Sequence, residues 1–216
     1  MKKTLLFGLM ISLLMMGCAG EPGVSHAASG APEAAAPGAA EDGAEPEGGT
    51  MAAPAAFGDY ETGNAELDEQ VRVLLEELCD PEAPEEENLA AVYQWVCNEI
   101  TYRAGTADVS GGFTEELTQQ LALDGLNKRK GNCDTEAAVM AVLLQRMGYP
   151  CQILQGQFRR EDGQWVEHAW VLAQVGSELL HFDPLYGRYY ADDPAEYFMQ
   201  PDSALEGTHR WDIEAQ

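Results

Sequence analysis

The sequence is poor in basic residues. It has 12 lysines and arginines against 37 aspartates and glutamates in 216 residues, a formal net charge of −25 at pH 7. Residues 61–216 alone carry 30 acidic and 10 basic side chains, a net charge of about −20. A surface this negative repels phosphate groups, so we expect no nucleic-acid partner and no binding to anionic lipid headgroups.

The sequence also lacks the short motifs that mark common cofactors. It contains no internal repeat, no nucleotide, flavin or haem signature, and no C-x-x-C or H-x-x-x-H spacing. We therefore predict no organic cofactor and no metal. One zinc alternative stays open, a set without the usual ligand spacing that would draw on Cys133, Cys151, His168 and His181.

The N-terminal apolar run is too short for a membrane span. Two lysines precede an uncharged apolar stretch from Thr4 to Met16, roughly 13 residues, whereas a bilayer needs about 20. This layout is typical of an export signal. Gly17 and Cys18 then resemble the lipobox of bacterial lipoproteins, although Met15 stands where leucine is usual. That resemblance implies cleavage and lipid attachment at Cys18, and the alternative is an ordinary secretory signal.

Residues 19–63 are expected to be a tether between the signal (1–18) and a folded domain (64–216). The stretch from 19 to 60 is mostly Ala, Gly, Pro and Glu, has no Lys or Arg, and has only Phe57 and Tyr60 as aromatic residues. Such a segment cannot bury enough apolar surface to offset its ordering entropy. We predict an acidic, disordered tether and a mature protein outside the cytoplasm, held to the membrane by its lipid alone.

Hydrophobic periodicity in residues 64–216 changes from helical to alternating. Helices are predicted from Asn64, from Glu85, from Thr114 to about Leu123, and after Cys133. Beyond Pro150, the segments CQILQGQF, QWVEHAWVLAQV and ELLHFD read as three strands joined by short turns. Helices followed by an antiparallel meander predict an α+β domain with the Cys133 helix packed on the sheet.

Cys133 stands where a thiol can act as a nucleophile. It begins a predicted helix, and the unpaired N–H groups of a helix N-terminus favour the negative charge of a thiolate. The preceding Lys128, Arg129 and Lys130 either assist this charge or form a solvated loop. A nucleophile also needs a base and a group that orients the base. Two adjacent predicted strands offer His168 and Asp183 for these tasks.

These segments resemble the transglutaminase-like superfamily. The resemblance is carried by GNCDTEAAVMAVLLQRMGYPCQILQGQF, EHAWVLAQV and LLHFDPLYG in order, preceded by AAVYQWVCNEITY, over most of residues 85–190. It implies a papain-like α+β core with Cys133 as nucleophile, His168 as general base and later acid, and Asp183 orienting His168. It also implies an oxyanion-hole side chain, for which Tyr102 is our candidate, and a packing role for Cys151.

Two further expectations concern the end of the chain and its cysteines. Residues 197–216 are expected to cover the sheet, without assigned chemistry. The main structural rival is a pair of disulfides among Cys79, Cys97, Cys133 and Cys151, although Cys97 reads better as a small buried hydrophobe.

The transglutaminase-like resemblance implies a thiol enzyme that acts on amide or peptide bonds through a thioester on Cys133, and the lipobox-like Cys18 places it at the cell surface. Its partner would be a peptide or protein substrate, with association of that substrate with the cell wall as one option. Hydrolysis is favoured slightly over cross-linking to an amine. The alternative from another functional class is an inactive papain-like module that binds a peptide or a wall polymer.

Overall fold

A computed structural model of the chain describes residues 60–105 and 107–211. The predicted export signal, Cys18 and the tether up to residue 59 lie outside the described residues. Within the described part, no helix is both long and apolar enough to cross a membrane.

Helices dominate the first half of the described chain and strands the second. The helices are α1 (Ala65–Leu78), α2 (Glu85–Glu99), α3 (Glu115–Lys128), α4 (Cys133–Arg146), α5 (Pro184–Tyr190) and α6 (Asp202–Leu205), with a 3₁₀ turn at Pro194–Tyr197. The strands are β1 (Thr101–Tyr102), β2 (Lys130–Gly131), β3 (Cys151–Arg159), β4 (Trp165–Val175), β5 (Glu178–Phe182) and β6 (His209–Trp211). The predicted α+β class is confirmed.

Helix α4 is the centre of the core. Every residue from Asp134 to Leu144 is buried, because α4 packs against α3 on one side and against β3 and β4 on another. A helix that is apolar nearly all round requires such enclosure. Gly148, with φ of 95°, and Pro150 end it as predicted. Its first residue, Cys133, is therefore held at a fixed point at the edge of the core.

Strands β5, β4, β3 and β6 form one antiparallel sheet in that order. Strand β4 lies inside it and is buried on both faces. Ala169, Val171 and Ala173 join the main core with α4. Trp170 and Leu172 point to the opposite face, where they pack with Leu154.

Several elements differ from the sequence prediction. Strand β2, helix α6 and the 3₁₀ turn were not predicted, and three further differences affect the packing around the site. Helix α3 continues five residues past Leu123, and its Gly125 permits close packing, since a Cβ there would lie 2.7 Å from Val139 Cγ2. Helix α5 was not predicted, although Asp183 followed by Pro184 is a common helix start. The segment 197–216 was predicted only to cover the sheet, but its residues His209–Trp211 form the edge strand β6.

Candidate active site

The fold brings the three predicted site residues to one place. Cys133 is the first residue of α4, and Asn132 caps that helix by accepting the Thr135 N–H at 3.4 Å. His168 lies within β4, and Asp183 directly follows β5. Because Val171 pairs with Phe182, Asp183 lies diagonally across from His168 on the same face of the sheet.

Close packing holds the segment before Cys133. Parallel pairing of β1 with β2 sets Tyr102 beside Gly131. A Cβ at Gly131 would lie 2.2 Å from Thr135 Cβ, far inside contact distance. Only glycine fits there, which explains the glycine two residues before the cysteine.

His168 and Asp183 form a buried charge pair. Their Nε2 and Oδ2 atoms are 2.6 Å apart, and both side chains are 1% exposed. Burial alone would lower the pKa of His168, but the charge and hydrogen bond of Asp183 outweigh it and raise that pKa to about 10. Burial would likewise raise the pKa of Asp183, but the two histidines bonded to it, His168 and His209, bring it well below its usual value.

The other ring nitrogen of His168 is available to the thiol. Nε2 is bonded to Asp183, whereas Nδ1 is buried and has no hydrogen-bond partner among the described residues. Cys133 is nevertheless one of the groups that raise the pKa of His168. In the described residues the sulfur is directed to Asp134 Oδ1, at 3.8 Å. Hydrogen bonds of a catalytic site often tighten only when substrate binds.

The thiol opens into a cleft of about 500 Å³. Cys133 and His168 share it with aromatic, apolar and charged side chains, namely Tyr102, Phe158, Arg160, Val166, Glu167, Leu185, Tyr189 and Tyr190. A larger cavity of about 850 Å³ lies between α3, the second half of α4 and the start of β3, but contains none of the three site residues. The smaller cleft is the candidate site because it holds the nucleophile.

Tyr102 borders this cleft, as its proposed role requires. Its side chain is 50% exposed, and its backbone N–H donates to Tyr189 Oη at 3.3 Å. Burial and the nearby charge of Cys133 raise the pKa of Tyr102, so the phenol keeps its proton and can donate it in a hydrogen bond. The oxyanion-hole assignment stays a prediction.

Sequence reasoning missed two groups at the site. His209, from β6, bonds Asp183 Oδ2 at 2.8 Å. Glu136, one turn beyond Cys133, is 1% exposed and pairs with Arg188 at 2.5 Å; burial raises its pKa to about 8. A charged residue at a buried helical position was the available signal for Glu136, whereas an isolated histidine near the end of the chain gave no signal for His209.

Two of the basic residues before Cys133, Lys128 and Arg129, are paired with groups away from the thiol. Lys128 pairs with Asp124 at 2.8 Å within α3. Arg129 pairs with Glu99 and lies over the ring of Trp95. These two contacts argue against a role for Lys128 and Arg129 in thiolate stabilisation. The segment is exposed, as the alternative expected, but it is not a loop, because Lys128 ends α3 and Lys130 begins β2.

The disulfide alternative is wrong in the described residues, where Cys79, Cys97, Cys133 and Cys151 are all free. Cys97 is buried, as predicted, and the Cys151 thiol donates to the carbonyl of Ala141 at 3.5 Å.

The proposed zinc set is not assembled either. His181 is occupied by Trp170 and Asp202, at 2.9 and 2.8 Å. The donor atoms that do lie within 4.8 Å of one another belong to His168, Asp183 and His209. Their 2.6 and 2.8 Å contacts suit hydrogen bonds, because ligands about 2 Å from a tetrahedral zinc lie roughly 3.3 Å apart.

Comparison with known families agrees with this geometry. Residues 72–184, just over half of the chain and including all three site residues, match the model of the transglutaminase-like superfamily. The chain belongs to the transglutaminase-like superfamily. The resemblance seen in the sequence is therefore confirmed. A search of curated proteins gives no match.

Several solved structures are similar in fold. The periplasmic domain of TgpA from Pseudomonas aeruginosa has 25% identity and a TM-score of 0.38, over 55% of this chain and 44% of that one. A structure described as a TGase has 18% identity and a TM-score of 0.43, over 56% and 32%. An arylamine N-acetyltransferase from Bacillus cereus, which has a Cys-His-Glu catalytic triad, has 17% identity and a TM-score of 0.41, over 57% and 50%. The match thus spans half or less of each of these chains.

Proposed function

We propose that this superfamily member is a thiol acyl-transfer enzyme that acts on amide bonds through Cys133, His168 and Asp183. The observation that carries the proposal is the buried His168–Asp183 pair beside a cysteine at the start of a helix, in a cleft open to solvent. Nucleophile, base and orienting group are the three parts that covalent acyl transfer needs.

The first half-reaction forms a thioester. The Cys133 thiol gives its proton to His168 Nδ1, and the sulfur bonds to the carbonyl carbon of the substrate amide. Backbone N–H groups at the start of α4, with Tyr102 as a candidate partner, would receive the developing oxyanion. His168 then protonates the leaving nitrogen, the C–N bond breaks, and the amine departs.

The second half-reaction decides the product. Water attacks the thioester carbon and gives a proton to His168. The C–S bond then breaks, His168 returns the proton to the sulfur, and a carboxylic acid leaves. An amine that attacks instead forms a new amide and thereby a cross-link. We favour hydrolysis, because water always reaches an open cleft and no amine-binding motif accompanies it.

We further propose that the protein is exported and anchored by lipid on Cys18. The support comes from the sequence alone: two lysines, a short apolar run and a cysteine, followed by an acidic tether. Radiolabelled palmitate fed to cells that make the protein should label the parent chain but not a Cys18→Ala variant. Equal labelling of the two chains, or no label on the parent, would contradict the lipid anchor.

Two assays on the Cys18→Ala chain test the chemistry. p-Nitrophenyl acetate should acylate Cys133 and release one equivalent of coloured p-nitrophenolate in a burst, which Cys133→Ser abolishes. Incubation with a glutamine-containing protein and a fluorescent primary amine then separates the outcomes. Peptide fragments without fluorescence indicate hydrolysis, and fluorescent protein indicates amine transfer. Absence of both the burst and either product would favour the inactive binding module.

A further inference from the structure

Asp183 is bonded by two histidines, only one of which the proposed mechanism uses. Its Oδ2 lies 2.6 Å from His168 Nε2 and 2.8 Å from His209 Nε2, and its Oδ1 accepts the Tyr186 N–H at 2.9 Å. All three donors come from different elements, β4, β6 and α5. Since an ionised carboxylate can only accept, both Nε2 atoms must carry hydrogen.

The position of His209 is set by the sheet. In β6 it pairs with Phe158 of β3, and its ring is fully enclosed. Gly156 allows this close approach, because a Cβ there would lie 2.4 Å from the carbonyl oxygen of Arg210. At the other end of the ring, His209 Nδ1 lies 3.0 Å from Thr208 Oγ1. His209 is thus fixed at both nitrogens.

This arrangement gives the His168–Asp183 pair an anchor on the sheet. A carboxylate and an imidazole bonded to each other can turn together and so carry Nδ1 away from the thiol. The Tyr186 N–H restrains one carboxylate oxygen, whereas His209 restrains the oxygen that bonds His168. In metal sites, removing a residue that hydrogen-bonds to a metal ligand typically changes activity by about 10–100-fold, because the ligand loses its orientation. The carboxylate of a triad likewise has to keep its orientation.

Other polar groups around the three side chains do not replace this bond. They come from α2, α4, β5, α5 and the 3₁₀ turn, namely Tyr93, Cys97, Glu136, His181, Tyr186 and Tyr197. Tyr93 Oη donates to the backbone oxygen of Asp183 rather than to its carboxylate. His181, the other buried imidazole nearby, is occupied by Trp170 and Asp202.

We propose that His209 is a positioning residue that holds Asp183, and through it His168, in register with Cys133. This inference rests on the proposed function. It predicts that His209 contributes only while Asp183 is present, and that a side chain able to donate at the same place can substitute for it.

The test measures the rate of the p-nitrophenyl acetate burst in the Cys18→Ala chain. His209→Phe should slow acylation by about tenfold or more, and His209→Gln, whose amide can donate to Asp183, should keep it within about threefold. In a protein that already carries Asp183→Asn, His209→Phe should slow acylation little further, because the effects of two coupled residues do not add. The matched control is His181→Gln, which alters an equally buried histidine without touching Asp183.

The outcomes separate the two proposals. If the parent chain gives no burst, the proposed function fails whatever His209 does. If the parent acylates rapidly and His209→Phe matches it, or if the loss is equally large without Asp183, only the positioning role is overturned. If His209→Phe fails to fold, His209→Asn replaces it, because the shorter asparagine side chain does not reach Asp183. Its acylation rate is then compared with that of His209→Gln. Equal rates for these two variants would also overturn the positioning role.

Discussion

Replacing Asp183 with asparagine alters the charge of the site and keeps its shape. Asparagine remains a good helix cap, so its side-chain oxygen can still accept the Tyr186 N–H that Asp183 accepts at 2.9 Å and begin α5 normally. The amide nitrogen then faces the two histidines in place of Oδ2. The amide nitrogen donates a hydrogen bond, so His168 Nε2 has to accept it and can no longer carry a hydrogen itself.

The resulting tautomer is the wrong one for catalysis. The hydrogen of a neutral His168 moves to Nδ1, the nitrogen that has to receive the thiol proton. The same change removes the charge that raises the pKa of His168 to about 10, while burial continues to lower it. That pKa should fall to near or below the ordinary value of about 6.5, so the imidazolium is lost at pH 8.

We expect acylation by p-nitrophenyl acetate to slow by about 10³- to 10⁴-fold at pH 8, where the larger figure is the loss when asparagine replaces the orienting aspartate of a serine triad. The matched control is Asp193→Asn, since Asp193 caps the exposed 3₁₀ turn by accepting the Ala195 N–H at 3.0 Å. It should leave the rate unchanged. A folded Asp183→Asn protein that acylates within tenfold of the parent would refute the reasoning.

Three further outcomes are expected. Arg188→Met should lower the free energy of unfolding by about 3 kcal/mol, because it leaves the buried Glu136 carboxyl group and the carbonyl oxygens of Cys97 and Ile100 without their donor. Glu136→Gln should cost under about 1 kcal/mol, because burial raises the pKa of Glu136 to about 8 and an amide resembles the neutral carboxyl group. Equal losses in urea unfolding would contradict this. Gly131→Ala puts a methyl carbon 2.2 Å from a side-chain carbon of α4 and should cost about 1–3 kcal/mol, whereas Gly111→Ala, in open space, should cost almost nothing; both are measured by thermal unfolding. Folding raises the pKa of His168, so the contribution of this residue to the free energy of unfolding is complete below pH 6.5 and is lost as the pH rises through about 10. Between pH 6 and 10.5, the urea midpoint should therefore fall less in a folded His168→Gln variant than in the parent. Parallel plots of urea midpoint against pH for the two proteins would refute this linkage.

The sequence predicts those parts of the molecule in which local patterns and tertiary packing agree. The cap at Asn64, the helix at Cys133 and the three meander strands follow from side-chain periodicity and turn residues, and all are found. The diagonal approach of Asp183 to His168 follows from the short turn between their strands. These are relations between neighbours along the chain.

The features that were missed depend on distant contacts. Strand β6 is three residues long, too short to show alternation, and its register comes from its pairing with β3, some fifty residues earlier along the sequence. His209 therefore reaches Asp183 through the pairing of β6 with β3, which no local sequence pattern predicts. The extension of α3 past Leu123 has a similar origin, because Gly125 weakens the helix locally but lets α3 pack closely on Val139.

The most direct test of the central claim is the rate at which iodoacetamide alkylates each cysteine of the Cys18→Ala chain at pH 6, resolved by peptide mass spectrometry. Burial raises the pKa of Cys79, and raises those of Cys97 and Cys151 to about 12, so these thiols should react slowly. Cys133 should react about 100-fold faster than any of them, and His168→Ala should remove at least about tenfold of that advantage. Slow, equal labelling of all four cysteines, unchanged by His168→Ala, would contradict a Cys133–His168 nucleophile.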